Sequence, residues 1–401
     1  MSDLRFRDDF PIFEQRTQPF VYLDNGATTQ KPMVVIERMN RFYLYENANI
    51  HRGSYSLSSH ASQMFDDARK RVQTWIDAKY ADEIVFTKGS TEAINLVAHA
   101  AFEAWINPGD NVIVTELEHS SNYFPWKYFC EKNGVEFRVA EAQYDGSLDK
   151  EAVFSLMDKR TRLIAVTAMS NVTGFRPELT AVIEEAHRNK TRVLVDASQE
   201  IVHHMISVQK MGCDFLCFSG HKIYGPMGTG VLYGKKEWLE KMPPYLYGGD
   251  MVEKGERGEI SYKTSSGKYE AGTQNIAGVL GLAAALEYLE ACGFEHLLRQ
   301  EEELALYIRN RLKQIEGIHV LGPDLRSPVI AFESDYLGAY DIGVLFANRG
   351  IAIRCGAHCA YPLMKRMNKE SICRISLAAY NTEEELDYAA DTLEHICKRR
   401  N

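Results

Sequence analysis

From about residue 83 the chain alternates short, β-branched apolar runs with longer stretches of helical period. EIVFT (83–87) precedes STEAINLVAHAAFEAW, NVIVTE (111–116) precedes a pattern near 122–133, VEFRVA (135–140) one near 149–157, and LIAVTAM (163–169) one near 178–189. RVLVDA (192–197), DFLCFSG (214–220) and GVLYG (230–234) continue the series. Strands that are apolar on both sides need helices over both faces of their sheet, and strands separated by helices run mostly parallel. The predicted fold class is therefore α/β, a mainly parallel, doubly wound sheet covered by helices. After Gly272 the order changes to two helical stretches (276–291 and 296–315), VIAFES, a helix near 340–349, IAIRCG, a short helix, SICRISL and a last helix. That order predicts a smaller α+β domain over 286–401, joined by the N-terminal segment 1–19, beside a large domain over 20–285. Thr382 and Glu385 have the spacing of a capping box that opens the last helix. The polar stretch 249–268 has neither period and reads as a mobile loop.

Composition serves mainly to exclude. A 401-residue chain that is 45% hydrophobic and 25% charged has the means to bury a large core. Its net charge of −9, without any Lys/Arg-rich block, disfavours nucleic acid as a partner. Charges interrupt the N-terminus every few residues, and no apolar run approaches the roughly eighteen residues of a membrane span. Eight cysteines without a secretory leader read as mostly free, buried thiols in a reducing compartment, which predicts the cytoplasm. Cys213/Cys217 and Cys355/Cys359 each have three residues between them. A structural zinc site needs two such pairs close in space, so no metal is expected.

In a doubly wound sheet, ligands bind beyond the carboxyl ends of the strands. At the first such end, in FTKGSTEAIN, Ser90 and Thr91 open a helix whose free amides suit a phosphate. On this motif alone, an N-cap role for Ser90 fits equally well, and the Walker pattern is absent. His119 follows the next strand end, and Asp196, with Gln199 close behind, closes VLVDASQ. A buried carboxylate there needs a positively charged or protonated partner such as a ring nitrogen, or serves as a helix cap. Lys222 follows a strand within Ser219-Gly220-His221 and precedes a glycine-rich turn. Elsewhere such a lysine is a solvated charge; held near an electrophile, a desolvated amine forms a Schiff base. A phosphate site, a stacking histidine, an aspartate for a pyridinium nitrogen and a lysine for an aldehyde are what a pyridoxal-phosphate enzyme needs. Cys359 lies in RCGAHCAYPLM beside His358 and Arg354, in a setting that raises thiolate fraction. An inert core thiol is the plainer alternative.

Taken in order, LDNGATTQKP, NANIHRGSYSLS, GSTEAINLV, ELEHSSN, SNVTGFRPEL, VDASQ, FSGHKIYGPMGTGVLYG, YEAGTQN, RCGAHCAYPLM and CRISLAAYNTEEELD span nearly the whole chain. In these motifs the chain resembles class V, fold-type I pyridoxal-phosphate enzymes, and among them the Suf-type (group II) cysteine desulfurases with their selenocysteine-lyase relatives. The resemblance implies that Lys222 holds pyridoxal 5'-phosphate covalently and moves the Cα proton. It implies that Asp196 faces the pyridine nitrogen, Gln199 the ring hydroxyl, and that His119 stacks on the ring. Ser90, Thr91, Ser219 and His221 would bind the phosphate, with Thr273 arriving from the second subunit of a homodimer. Asn171 and Arg374 would hold the substrate carboxylate, Arg354 would also bind the substrate, and His51 and Arg52 would line the entrance. Cys359 would take sulfur from L-cysteine as a persulfide, release L-alanine and pass the sulfur to an acceptor protein for iron–sulfur cluster assembly. Two departures stand out. Cys355 replaces a small hydroxyl residue or alanine and is read as a bystander thiol, the alternatives being a transient disulfide or a second sulfur site. Ala357 replaces a histidine or glutamine. The rival readings are a selenocysteine lyase or other class V lyase or aminotransferase, a nicotinamide-binding protein and a cofactor-free scaffold. The nicotinamide reading is disfavoured by the single glycine in FTKGSTEA.

Overall fold

The computed structural model describes residues 6–14, 20–51, 53–253, 261–323 and 326–398. Its centre is a seven-stranded sheet of β1 (Ile84–Thr87), β2 (Asn111–Thr115), β3 (Glu136–Ala140), β4 (Thr161–Thr167), β5 (Arg192–Asp196), β6 (Phe215–Ser219) and β7 (Gly230–Gly234). The spatial order is β1-β7-β6-β5-β4-β2-β3. Pairs among β3, β2, β4, β5 and β6 are parallel, as the interleaved helices require. β7 returns antiparallel to β6 because residues 220–229 are too few to build a crossover, and β1 pairs antiparallel with β7. The carboxyl ends of β1, β2, β4, β5 and β6 consequently share one edge. β2, β6 and β7 are buried along their full length and β5 at every residue after Arg192, which explains their apolar runs.

A helix at Ile276–Ala291, apolar around nearly its whole circumference, is buried against helices Met33–Arg41 and Ser56–Trp75. The second sheet is antiparallel, in the order β8 (Ile318–Leu321), β9 (Val329–Ser334), β11 (Ile372–Ser376), β10 (Arg354–Gly356). It packs with helices Phe294–Lys313, Ala339–Ala347 and Glu383–Lys398 around a separate apolar cluster. The capping box is present: Glu385 N donates to Thr382 Oγ1 at 3.3 Å, and Thr382 N donates to Glu385 Oε2 at 3.2 Å.

Residues 6–14 touch both sheets' surroundings. The Phe10 ring lies 4.7 Å from Tyr380 and 5.8 Å from Tyr224, and Arg7 pairs with Glu385 at 2.7 Å. Residues 1–5 and 15–19 of the expected N-terminal segment lie outside the described residues. The stretch 249–268 is more regular than expected. Val252–Glu253 pairs antiparallel with Ser261–Tyr262, and a 3-10 turn follows at Ser265–Lys268. The buried Lys268 ammonium donates to the carbonyls of Leu239, Glu240 and Met242 at 2.7–2.9 Å, which ties the turn down. Residues 254–260 lie outside the described ones.

Candidate active site

At the shared edge the strand ends enclose a cavity of about 210 Å³. β6 ends in Ser219, and one 3-10 turn, Gly220–Lys222, swings Lys222 into the wall. The peptide carrying that lysine is pinned from the N-terminal side. The His221 carbonyl accepts from Thr29 N at 3.1 Å, Thr28 Oγ1 at 3.1 Å and Lys31 Nζ at 2.8 Å. Burial pulls the Lys222 amine down to about 8, opposed by Asp196 and helped by Arg374 and Arg354. Asp196, at the end of β5, is buried in the same wall, and Ser198 donates to its Oδ1 from both N (3.0 Å) and Oγ (2.5 Å). Those bonds fix a carboxylate that faces the cavity and needs a cationic or protonated partner there.

β1 hands over through Gly89 to the fifteen-residue helix Ser90–Ala104, whose first turn, Ser90 and Thr91, lines the cavity. Ser90 N donates to Ser219 Oγ at 2.9 Å. A Cβ on Gly230 would stand 2.4 Å from the Gly89 backbone, so only glycine lets β7 approach this turn. His119 caps helix Ser120–Asn133, with its Nδ1 accepting from Ser121 N at 3.1 Å, which leaves its proton on Nε2. Burial and the nearby Lys222 push the His119 imidazole down to about 4, so it is neutral at physiological pH.

Cys359 lines the cavity from the loop after β10. His358 and Cys359 both have left-handed backbone, φ 52° and 54°, a conformation that costs non-glycine residues on the order of 1 kcal/mol each. Neighbours hold it in place. Ser120 donates to the Cys359 carbonyl from N at 2.7 Å and from Oγ at 2.8 Å, and Asn171 Nδ2 donates to the His358 carbonyl at 2.8 Å. Arg374, on β11, is buried in the same wall. Its Nη1 donates to the Asn171 carbonyl at 2.8 Å and its Nη2 to Asp24 Oδ1 at 3.0 Å. Arg354 also lines the cavity, as does Gln199, whose Nε2 donates to the Gly26 carbonyl at 2.8 Å.

Of the residues singled out from the sequence, Lys222, Cys359, His119, Ser90, Thr91, Asp196, Gln199, Ser219, His221, Asn171, Arg374 and Arg354 share this wall. Thr273 does not: it is exposed, outside the cavity of its own chain. His51 is exposed too, with its ring edge-on to Phe65 at 6.2 Å, and Arg52 lies outside the described residues. Sequence reasoning missed Asp24, Gly26, Ser120 and Glu118. Glu118 is buried behind His119 and accepts from Thr115 Oγ1 (2.7 Å), Thr167 N (2.9 Å) and Asn122 Nδ2 (2.6 Å), while burial raises its carboxyl to about 8. Its position directly before His119 was the one available signal. The buried nitrogens His221 Nδ1, His358 Nδ1 and Arg374 Nε have no partner among the described residues, and all three residues line the cavity. An anion cradle, a half-buried amine, a fixed carboxylate and these unsatisfied nitrogens fit an aldehyde-bearing, phosphorylated pyridine and an amino-acid carboxylate.

A family model described as aminotransferase class-V matches residues 21–389. A cysteine desulfurase of Pectobacterium atrosepticum is 46% identical over 395 residues, covering 98% of this chain and 97% of that protein. The crystal structure of the cysteine desulfurase CsdA from Escherichia coli, in its S-sulfonic acid form, superposes with a TM-score of 0.92 at 34% identity and covers all of both chains. A mutant of the protein C-DES, described with glycine covalently linked to its PLP cofactor, shares the fold. Its TM-score is 0.85 at 21% identity, over 97% of this chain and 98% of that one.

Proposed function

Since the chain belongs to the aminotransferase class-V family, we infer from its cavity that it is a pyridoxal-phosphate-dependent cysteine desulfurase. The carrying observation is that one wall holds Lys222, Asp196, Arg374 and Cys359 together. Ser90, Thr91, Ser219 and His221 would hold the phosphate, Asp196 the ring nitrogen, Gln199 the ring hydroxyl and Lys222 the aldehyde. When bound, the cofactor supplies an electrophilic carbon for the substrate amine and a ring that withdraws electrons from Cα.

The remaining work falls to this chain's side chains. Arg374 receives the carboxylate of L-cysteine, with Asn171 and Arg354 beside it. The Lys222 amine, held near 8, is free base in an appreciable fraction at neutral pH and so takes and returns the Cα proton. His119, neutral and fixed by Ser121, would face the cofactor without adding charge. Cys359 as thiolate attacks the substrate sulfur. The Cβ–S bond breaks, a persulfide remains on Cys359, and the three-carbon fragment gains protons to leave as L-alanine. The enzyme thiol plus L-cysteine thus gives the enzyme persulfide plus L-alanine, with no outside oxidant.

The homodimer, with Thr273 completing the phosphate site across the interface, is part of this proposal, as is a cytoplasmic setting. So is a thiol-bearing acceptor protein that takes the sulfur towards iron–sulfur clusters. L-selenocysteine is the natural alternative substrate. Among the described residues no single helix is long and apolar enough to cross a membrane. The test is alanine release from L-cysteine by wild type, Cys359→Ala and Lys222→Ala. Mass spectrometry should find the persulfide on Cys359, and borohydride should fix the cofactor to Lys222. Full alanine release and persulfide in Cys359→Ala would overturn the assignment.

A further inference from the structure

The strands that carry the two arginines of the carboxylate site are joined by a third segment, residues 21–26. Val21 and Tyr22 pair parallel with Ile351 and Ala352, and Leu23 N donates to the Ala352 carbonyl at 2.9 Å. On the other side Ser376 N donates to the Leu23 carbonyl at 2.8 Å, Asp24 bridges Ser376, and Gly26 N donates to Ser376 Oγ at 2.7 Å. This stitching places the Asp24 carboxylate between the guanidinium groups. Oδ1 accepts from Arg374 Nη2 at 3.0 Å, and Oδ2 lies 3.8 Å from Arg354 Nη1.

Arg374 has three donor nitrogens. Asn171 engages Nη1 and Asp24 engages Nη2, whereas Nε is buried without a partner among the described residues. A guanidinium held at both terminal nitrogens cannot rotate, so the unsatisfied Nε keeps one orientation. The Nε edge is one a carboxylate grips with two parallel bonds. Left alone, two guanidiniums so close would also repel each other, and Arg354 would drift towards solvent, where nearly half its side chain already lies.

Building on the desulfurase reading, we propose that Asp24 is a positioning residue for the substrate carboxylate. It bridges Arg354 and Arg374 and so keeps the Nε edge of Arg374 open to the α-carboxylate of L-cysteine. Asp24 touches neither the sulfur nor Cα in this scheme. Its effect is confined to substrates that carry a carboxylate.

That restriction gives the test. Cofactor-loaded wild type, Asp24→Ala, Asp24→Asn (closest in shape) and Asp24→Glu are titrated with L-cysteine and with cysteamine, the same aminothiol without a carboxylate. Binding is followed by the change in cofactor absorbance, and alanine release gives KM and kcat. Asp24→Ala and Asp24→Asn are expected to raise the KM for L-cysteine about tenfold or more, with a kcat loss below about threefold, and Asp24→Glu to recover part of the loss. Cysteamine affinity is expected to stay within about twofold of wild type. Equal losses for both aminothiols would mean a merely structural carboxylate and overturn the proposal, as would an unchanged KM. Absence of alanine release from wild type would overturn the desulfurase reading and this inference together. Normal release with equal losses overturns this inference alone.

Discussion

Arg374 is buried yet must present a free edge, so its surroundings tolerate little change. Gly26 packs against it: a Cβ there would sit 3.2 Å from Arg374 Cζ and Nη2 and from Ser376 Cβ. The guanidinium, held by Asn171 and Asp24, would have to move a few tenths of an ångström. Gly26→Ala is therefore expected to raise the KM for L-cysteine by about tenfold while cofactor content stays near wild type, because misplacement of a binding group costs affinity before it costs fold. Steady-state kinetics on protein of measured cofactor content checks this; an unchanged KM would show that the clamp has slack. The residues of the site divide by how they could be read. Lys222, Asp196 and Ser90 announce themselves by standing at strand ends, where the local sequence implies the location. Asp24, Gly26 and Ser120 act on partners 350, 348 and 239 positions away. No local pattern encodes such distances.

Strand alternation turns the second thiol away from the cavity. In β10, Arg354 turns to the cavity and Cys355 to the opposite face. In β11, Arg374 and Cys373 do the same, and the register pairs Cys355 with Cys373. The two sulfurs lie 3.7 Å apart beside helix Ala339–Ala347, where a Cβ on Gly343 would meet Cys355 Sγ at 2.8 Å. Cys355→Ala is accordingly expected to keep alanine release within about twofold of wild type, with the persulfide still on Cys359. Loss of the persulfide in that variant, seen by mass spectrometry, would give Cys355 a role in sulfur handling. Element ends make a second prediction. Thr382→Ala removes the cap of Glu383–Lys398 and should cost about 1 kcal/mol in chemical denaturation, with the m-value unchanged. The apolar elements, such as Ile276–Ala291, β2, β6 and β7, are legible in the sequence because burial on all sides leaves one kind of side chain. Helix Ser56–Trp75 was not, because its buried face includes Ser58 and Arg69. Arg69 is tolerated there because Glu270, 201 residues on, pairs with it at 2.6 and 2.8 Å.

At the scale of the whole molecule, the charges gathered for catalysis set how stability responds to acid. Burial, with help from nearby cations, holds His119 and His221 near 4 and His358 near 3, against about 6.5 in an unfolded chain. Between pH 6.5 and 4.5 the unfolded chain therefore binds protons that the folded one refuses, and stability must rise with pH across that window. Glu118 acts in the opposite sense. Its folded value of about 8 means the native state keeps a proton that the unfolded chain releases above about 4.5. Lys222, lowered to about 8, is charged in both states below pH 6.5 and contributes no slope there, while Lys31, lowered to about 7, adds a small slope of the same sign as the imidazoles near pH 6.5. Three imidazoles outweigh one carboxyl. Two of the imidazoles are partly exposed, so a slope on the order of 1–2 kcal/mol per pH unit is expected for the cofactor-free protein. Denaturation free energies measured every half unit from pH 6.5 to 4.5 should fall steadily towards acid, and His358→Asn should flatten the line. A stability that holds level or climbs on acidification would mean that these histidines are not neutral in the folded site, and with them would go the argument that His119 faces the cofactor without charge.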